Sequence, residues 1–308
     1  MDALKTTLPY IISGISVGGQ YALIAIGYTM VYGILRLINF AHGDVFMVAG
    51  LMMVYLSASL PLYLSIPLVI LLTVLLGFTI ERVAYKPLRT APRMSVMISA
   101  IGVSYLLQNC ALYFTGGLPQ VYPAIPFLSK VVQVGPATTK MVTIVTPILT
   151  LVLVFALVAL IKYTKVGMAM RAVSRDFETS ELMGIKINNV ISMTFVIGCF
   201  LAAVGSLLYF TNYNSVIPTS GAMPGLKAFV AAVFGGIGSI PGAVIGAFII
   251  GIAESVIKGL DTILIVNGAI TEQIGLATFS DAFTFVLLII ILVFKPTGLF
   301  GEKSTDKV

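Results

Sequence analysis

Charge is scarce in this chain: Asp, Glu, Lys and Arg together make up 10% of its 308 residues, where an ordinary soluble domain carries roughly a quarter. That scarcity argues against a soluble globular protein. Its two cysteines, Cys110 and Cys199, sit inside apolar runs without metal-type spacing, which speaks against a disulfide framework and reads as two small buried hydrophobes. A single histidine, His42, stands near one acid and cannot make a metal site by itself. The chain also lacks a GxxxxGK[ST] loop, HExxH, a nucleophile elbow and paired carboxylates, so any uphill work it does draws its energy from elsewhere. Lysine and arginine exceed acids by 18 to 12, but they gather in a few polar gaps and read as membrane topology, not as a nucleic-acid patch.

What is present is apolar sequence in long blocks. Residues 6–35, 45–80, 94–129, 141–161, 187–226 and 228–253 carry no charge, and a last block, 274–294, is broken only by Asp281. A membrane-crossing helix needs roughly 20 such residues. The runs are continuous where barrel strands would alternate. The expectation is an all-α integral membrane protein, one transmembrane domain over residues 1–308 with about eight helices, give or take one. The opening MDALKTTLPY lacks a small-residue cleavage site and reads as the start of the first span.

Basic residues in short loops mark the cytoplasmic side. ERVAYKPLRTAPR holds Arg82, Lys86, Arg89 and Arg93, and residues 162–189 hold five more basic residues; both gaps should face the cytoplasm, with the short tail GLFGEKSTDKV. The Pro- and Gly-rich loop 116–140 and the stretch 258–280 should face outside. Glu81 and Arg82 end a span, where local pairing and snorkelling are expected.

Two breaks interrupt apolar regions: LRLINFAHGDVF at 35–46 and VFGGIGSIPGAVIGAF at 233–248. Glycine and proline should break the helical ladder at or near membrane depth, where freed backbone groups must be buried in protein or line a cavity. Transporters often hold paired broken helices of this kind in inverted repeats around the substrate path, with restarting half-helices pointing amides inward. Asn39, His42, Gly43 and Asp44 are the candidates in the first break, with a hydrogen-bonded hinge role for His42. Gly236, Gly238, Pro241 and Gly242 are those in the second, where spacing of Gly238, Gly242 and Gly246 suits close helix packing equally well. Gln20, Gln108 and Asn109 are weaker cavity candidates, and Glu254 fits the interface as well as the path.

One stretch, RAVSRDFETSELMGIKINN at 171–189, packs three basic and three acidic side chains into nineteen positions. Asp176 or Thr179 can cap a short helix, Glu178 and Glu181 suit its positive end, and Gly184 after Leu182 and Met183 is a stop. A short amphipathic rod between two spans is expected; a solvated loop that only sets topology is the competing reading.

GGQYALIAIGYTMVYGILRLINFAHGDVFM, ERVAYKPLR, the charged stretch, LKAFVAAVFGGIGSIPGAVIGAFIIGIAES and LVFKPTGLFG together resemble, from end to end, the LivH-type permeases of bacterial high-affinity branched-chain amino-acid ABC transporters. The resemblance implies a non-enzymatic subunit of the bacterial inner membrane, paired with a LivM-type permease, two cytoplasmic ATPase subunits that bind the ATP, and a periplasmic amino-acid-binding protein. No cofactor is expected in the chain itself. It further implies that the 162–190 loop carries a coupling helix for the ATPase, at Arg175, Asp176, Glu178, Glu181, Leu182, Gly184 and Ile187, here without the Glu-Ala-Ala opening. A self-sufficient channel or ion-coupled carrier is the alternative, and would need Asp44 with His42, and Glu254, for coupling.

Overall fold

A computed structural model describes residues 2–89, 91–135, 137–266, 275–295 and 297–301. The tail at 302–308, the middle of the 258–280 stretch and the side chain of Arg93 lie outside the described residues. The helices are α1 (Asp2–Leu35), α2 (His42–Ser59), α3 (Leu62–Ile80), α4 (Arg93–Thr115), α5 (Met141–Tyr163), α6 (Lys165–Arg175), α7 (Phe177–Leu182), α8 (Ile187–Tyr213), α9 (Ala222–Gly235), α10 (Ile240–Val266) and α11 (Ser280–Phe294). Among the described residues eight helices are long and apolar enough to cross a bilayer: α1 to α5, α8, α10, and α11 with the 3₁₀ turn Leu276–Phe279 that precedes it. The chain is a multi-pass helical membrane protein, as the uncharged windows require. The window 45–80 holds two helices, because Pro61 takes an extended backbone and α3 restarts directly after it.

A side chain on Gly14 would meet Ile252, and one on Gly18 would meet Phe248, so α1 and α10 run antiparallel. Gly205 lies against Leu23 and Gly198 against Gly27, so α8 is antiparallel to α1 as well. Two helices with the same direction need a return between them, and α9 supplies it. With 14 residues it spans only about 21 Å of a roughly 30 Å core. Small residues at these crossings let backbones approach closely enough to replace the hydrophobic drive that lipid removes. In α1, 72% of the apolar window is buried, against 11% in the last span; α1 is therefore the central stave and α11 a peripheral one. Several threonines inside the spans return their hydroxyls to the preceding turn, as Thr73 does to Val69 O at 2.7 Å and Thr211 to Leu207 O at 2.6 Å, which satisfies those hydroxyls where water is excluded.

The two basic gaps share one face. Arg89 hydrogen-bonds Asn188 at the start of α8, and Ser192 donates to Glu81 at 2.8 Å. Glu81, fully buried, pairs with Arg89 and not with Arg82, which lies 5.2 Å from the Phe78 ring centroid. On the opposite face, β2 (Val131–Val134) and β3 (Ala137–Lys140) form an antiparallel hairpin, and β1 (Gln120–Val121) pairs with β4 (Ser215–Val216) to join the loops after α4 and α8. Cys199 is buried against Gly77, as expected, but Cys110 is exposed, because α4 is a peripheral helix with most of its surface uncovered.

Candidate functional site

The first break is real and lies deep. Arg36 takes a left-handed backbone (φ +53°) after α1, and α2 restarts at His42 against Gly27. Gly27 is eight residues before the end of α1, so α2 begins roughly 12 Å inside that end. Residues 36–41 thus climb through protein before the helix resumes. Asn39 is buried and accepts from the Tyr85 hydroxyl at 2.6 Å. Tyr85 ends a π-helical turn, Glu81–Tyr85, that continues α3. Gly43 fits between Gly221 and Gly225 near the start of α9, its missing Cβ lying 2.7 Å from Gly221 O. Asp44 is buried and accepts from Ser104 at 2.5 Å and Gln108 at 3.0 Å, both on α4; Gln108 is thereby a partner of the break.

The His42 ring stands edge-on to Tyr28, centroids 5.2 Å apart, and its Nε2 has no hydrogen-bond partner among the described residues. The ring fills the notch left by Gly27, so its Nε2 contributes shape and not a hydrogen bond.

The second break follows α9, with Gly236 at φ +106° and Gly238 at φ +98°, angles that only glycine adopts without strain. Gly242 and Gly246 press on the backbone of α9 at Gly235 and Ala231, so the packing reading holds for these two. Gly238 and Pro241 are exposed. Leu299 N donates to Phe234 O and Phe300 N to Gly235 O, both at 2.9 Å, so residues 297–301 strap the C-terminus of α9 and satisfy its free carbonyls.

The two breaks meet. Gly33 faces Gly238, and the Phe229 ring packs between Tyr28, edge-on, and Phe40, tilted, at centroid distances of 6.0 and 6.3 Å. Between them Ile38 and Ile237 border an apolar crevice of about 10 Å³, at the lower limit for one water. None of the polar candidates lines it. Gln20 is buried within hydrogen-bond reach of Leu208 O, while Asn109 is exposed and bonds its own helix.

The charged stretch is folded. Asp176 caps α7, accepting from Glu178 N at 3.0 Å and Thr179 N at 3.3 Å, while Thr179 is a donor to Asp176 and not a cap. The Thr179 bonds hold the Asp176 carboxyl below its usual range. Ile185 N to Ser180 O (3.0 Å) and Gly184 N to Glu181 O (2.9 Å) close the end in a Schellman motif, with Gly184 at φ +83°. Arg175, Asp176, Glu178, Glu181, Leu182 and Gly184 are exposed, and Ile187 is half-buried as α8 begins.

A third constellation was not anticipated from sequence. Lys227 of α9, nearly buried, bridges Glu254 of α10 at 2.7 Å and Asp281 of α11 at 2.6 Å. Glu254 also pairs with Lys258 and accepts from the Tyr21 hydroxyl at 3.0 Å. Glu254 is 1% exposed, which places it in the interior and not at the interface. The available signal was Asp281 inside an apolar block, because a carboxylate there needs a partner.

These helices and their two meeting breaks define the class: a polytopic membrane protein built around discontinuous segments. Residues 10–292 match the family described as branched-chain amino acid transport system, permease component. The chain belongs to that family, as a transport subunit and not an enzyme. It is 38% identical to the high-affinity branched-chain amino acid transport system permease protein BraD of Pseudomonas aeruginosa, over 100% of both chains. It is also 38% identical to the permease LivH of Escherichia coli, over 98% of this chain and 97% of that one. A ribose import permease, RbsC of Haemophilus influenzae, is 28% identical over 78% of the chain and 74% of its own length.

Proposed function

We propose that the chain is one half of the transmembrane pathway of an ABC importer for leucine, isoleucine, valine or related amino acids in the bacterial inner membrane. In this reading it pairs with a LivM-type permease, receives substrate from a periplasmic binding protein, and is driven by two cytoplasmic ATPase subunits that bind the ATP; the chain carries no cofactor. The names of its relatives supply the substrate class. The observation that carries the mechanism is the 176–184 element: a capped and terminated helix whose tip holds Leu182 and Met183 at 87% and 79% exposure. Apolar side chains this exposed, at the end of a rigid element on the basic face, suit a partner's groove. Arg175, Asp176, Glu178 and Glu181 surround the tip with charge that sets its orientation.

With the basic face cytoplasmic, α8 runs outward, α1 inward, and the break residues lie toward the inner half of the membrane. ATPase closure would push α7, and through α6 and α8 shift the bundle about Asn39, His42, Gly43 and Asp44 in one connection and Gly236, Gly238, Pro241 and Gly242 in the other. Reconstitution tests the reading. Liposomes holding the chain, its permease partner and inward-facing ATPases should accumulate leucine only with ATP inside and the leucine-loaded binding protein outside. Accumulation by the chain alone, collapsed by a proton ionophore, would instead establish an ion-coupled carrier.

A further inference from the structure

The Lys227 network does not fill its surroundings. It borders a cavity of about 330 Å³, within the range of small-molecule sites and reaching to about the middle of α1 at Tyr21. The buried members of the network are committed to one another: Glu254 accepts from Tyr21, Lys227 and Lys258, and Lys227 holds two carboxylates. Its outer members are not enclosed. The side chain of Lys258 is 43% exposed and that of Asp281 is 44% exposed. They carry opposite charges on two different helices, one attached to each side of the Glu254–Lys227 pair.

An ammonium has three donors and a carboxylate about four acceptor positions, so Lys258 and Asp281, each in one ion pair among the described residues, keep hydrogen-bonding capacity toward the cavity. The rest of the wall combines Met223, Pro224 and the tilted Tyr209 and Tyr213 rings, 4.4 Å between centroids, with Ala277 and the hydroxyl-bearing Thr278 and Ser280. The four charges sum to zero, so the site attracts neither a net anion nor a net cation. A neutral molecule with a cation and an anion a few atoms apart, and an aliphatic body, matches it best.

We propose that this cavity is a transient binding site for the free amino-acid zwitterion in the permease itself: Lys258 receives the α-carboxylate, Asp281 the α-ammonium, and the tyrosine wall the branched side chain. Lys227 and Glu254 are positioning residues, which tie α9, α10 and α11 together and hold the two outer groups apart. The assignment rests on the amino-acid reading above. It adds that the permease, and not only its binding protein, recognises the backbone of its substrate. An ethanolamine phospholipid headgroup presents the same paired charges, and the test separates the two sources.

The experiment uses the purified, delipidated transporter complex without binding protein, and measures displacement of radiolabelled leucine by leucine, by isopentylamine (no carboxylate) and by 4-methylpentanoate (no ammonium). Wild type should prefer leucine to either analogue by roughly tenfold or more, the worth of one charge-assisted hydrogen bond. Lys258→Ala should lose the preference over isopentylamine and keep that over 4-methylpentanoate; Asp281→Asn should do the reverse. A purely structural pair would lower all three affinities together, which would overturn the assignment, as would unchanged selectivity in both variants. Lys258→Arg, retaining charge, should restore the preference. Leucine binding abolished by added phosphatidylethanolamine and insensitive to both substitutions would assign the cavity to lipid. Failure of the wild-type complex to transport any branched-chain amino acid would instead overturn the functional reading beneath it.

Discussion

Replacing Gly184 separates the backbone from the surface of the coupling element. At φ +83° a non-glycine residue costs roughly 1–2 kcal/mol, while nothing lies within 4 Å of where its Cβ would sit. Gly184→Ala therefore strains the chain without a clash. The Schellman closure to Ser180 and Glu181 should open about 5- to 30-fold more often, and Gly184→Asn should fall between Ala and Gly because asparagine tolerates left-handed geometry. Hydrogen exchange across 177–185 reads the opening, and titration of the permease with its ATPase reads the consequence. Both should follow the order Gly, Asn, Ala, with membrane insertion unchanged. Gly184→Leu should resemble Ala in exchange, since space is open; a much larger loss of ATPase binding with Leu alone would locate a groove wall against this residue. Equal exchange in Gly, Asn and Ala would refute the claim that the αL stop holds the tip in place.

Two further outcomes follow from local geometry. Gly43→Ala brings a Cβ to 2.7 Å from Gly221 O and 3.0 Å from Gly225 Cα; backbone cannot swing aside, so detergent-solubilised protein should lose about 1–3 kcal/mol of stability by thermal unfolding, whereas Gly102→Ala, with no neighbour within 4 Å, should lose none. Asp176 ionises below its ordinary range through its bonds to Thr179. Because the folded value is depressed, its stabilisation of α7 is full above the unfolded carboxyl pKa of about 3.9 and fades as pH falls through the lower folded value. Hydrogen-exchange protection of 177–182 should then be flat from neutral pH downward and drop only in that acid window, and Asp176→Asn should abolish the drop.

What could be read in the sequence was what is local. Continuous apolar runs fix the spans, because every residue of a lipid-facing helix reports the same solvent. Asp176 and Gly184 were legible because a cap and a stop act within one turn, and both breaks were legible because glycine marks them. The placing of the His42 ring was not, since the notch that receives it is made by Gly27, fifteen positions away. Lys227, Glu254 and Asp281 were hidden for the same reason: each partner stands 27 residues from the next, and in isolation each looks like an interruption. Cys110 looked buried because it sits in an uncharged run, and an uncharged run marks a peripheral membrane helix as strongly as an enclosed one.

The hairpin of α9 and α10 joins the two regions that the sequence treats separately. Lys227 lies near the start of α9 and Gly236 just past its end; Gly242 lies near the start of α10 and Glu254 in its middle. Between them Gly242 and Gly246 set the two backbones in direct contact, with no side chain there to act as a compliant spacer. Packed backbones of this kind move together and do not shear easily. A displacement that begins at the 236–239 connection on the basic face therefore arrives at the Lys227–Glu254 pair as a tilt of the whole hairpin. Asp281, on the separate helix α11, is the member of the network whose distance from the others such a tilt would change first.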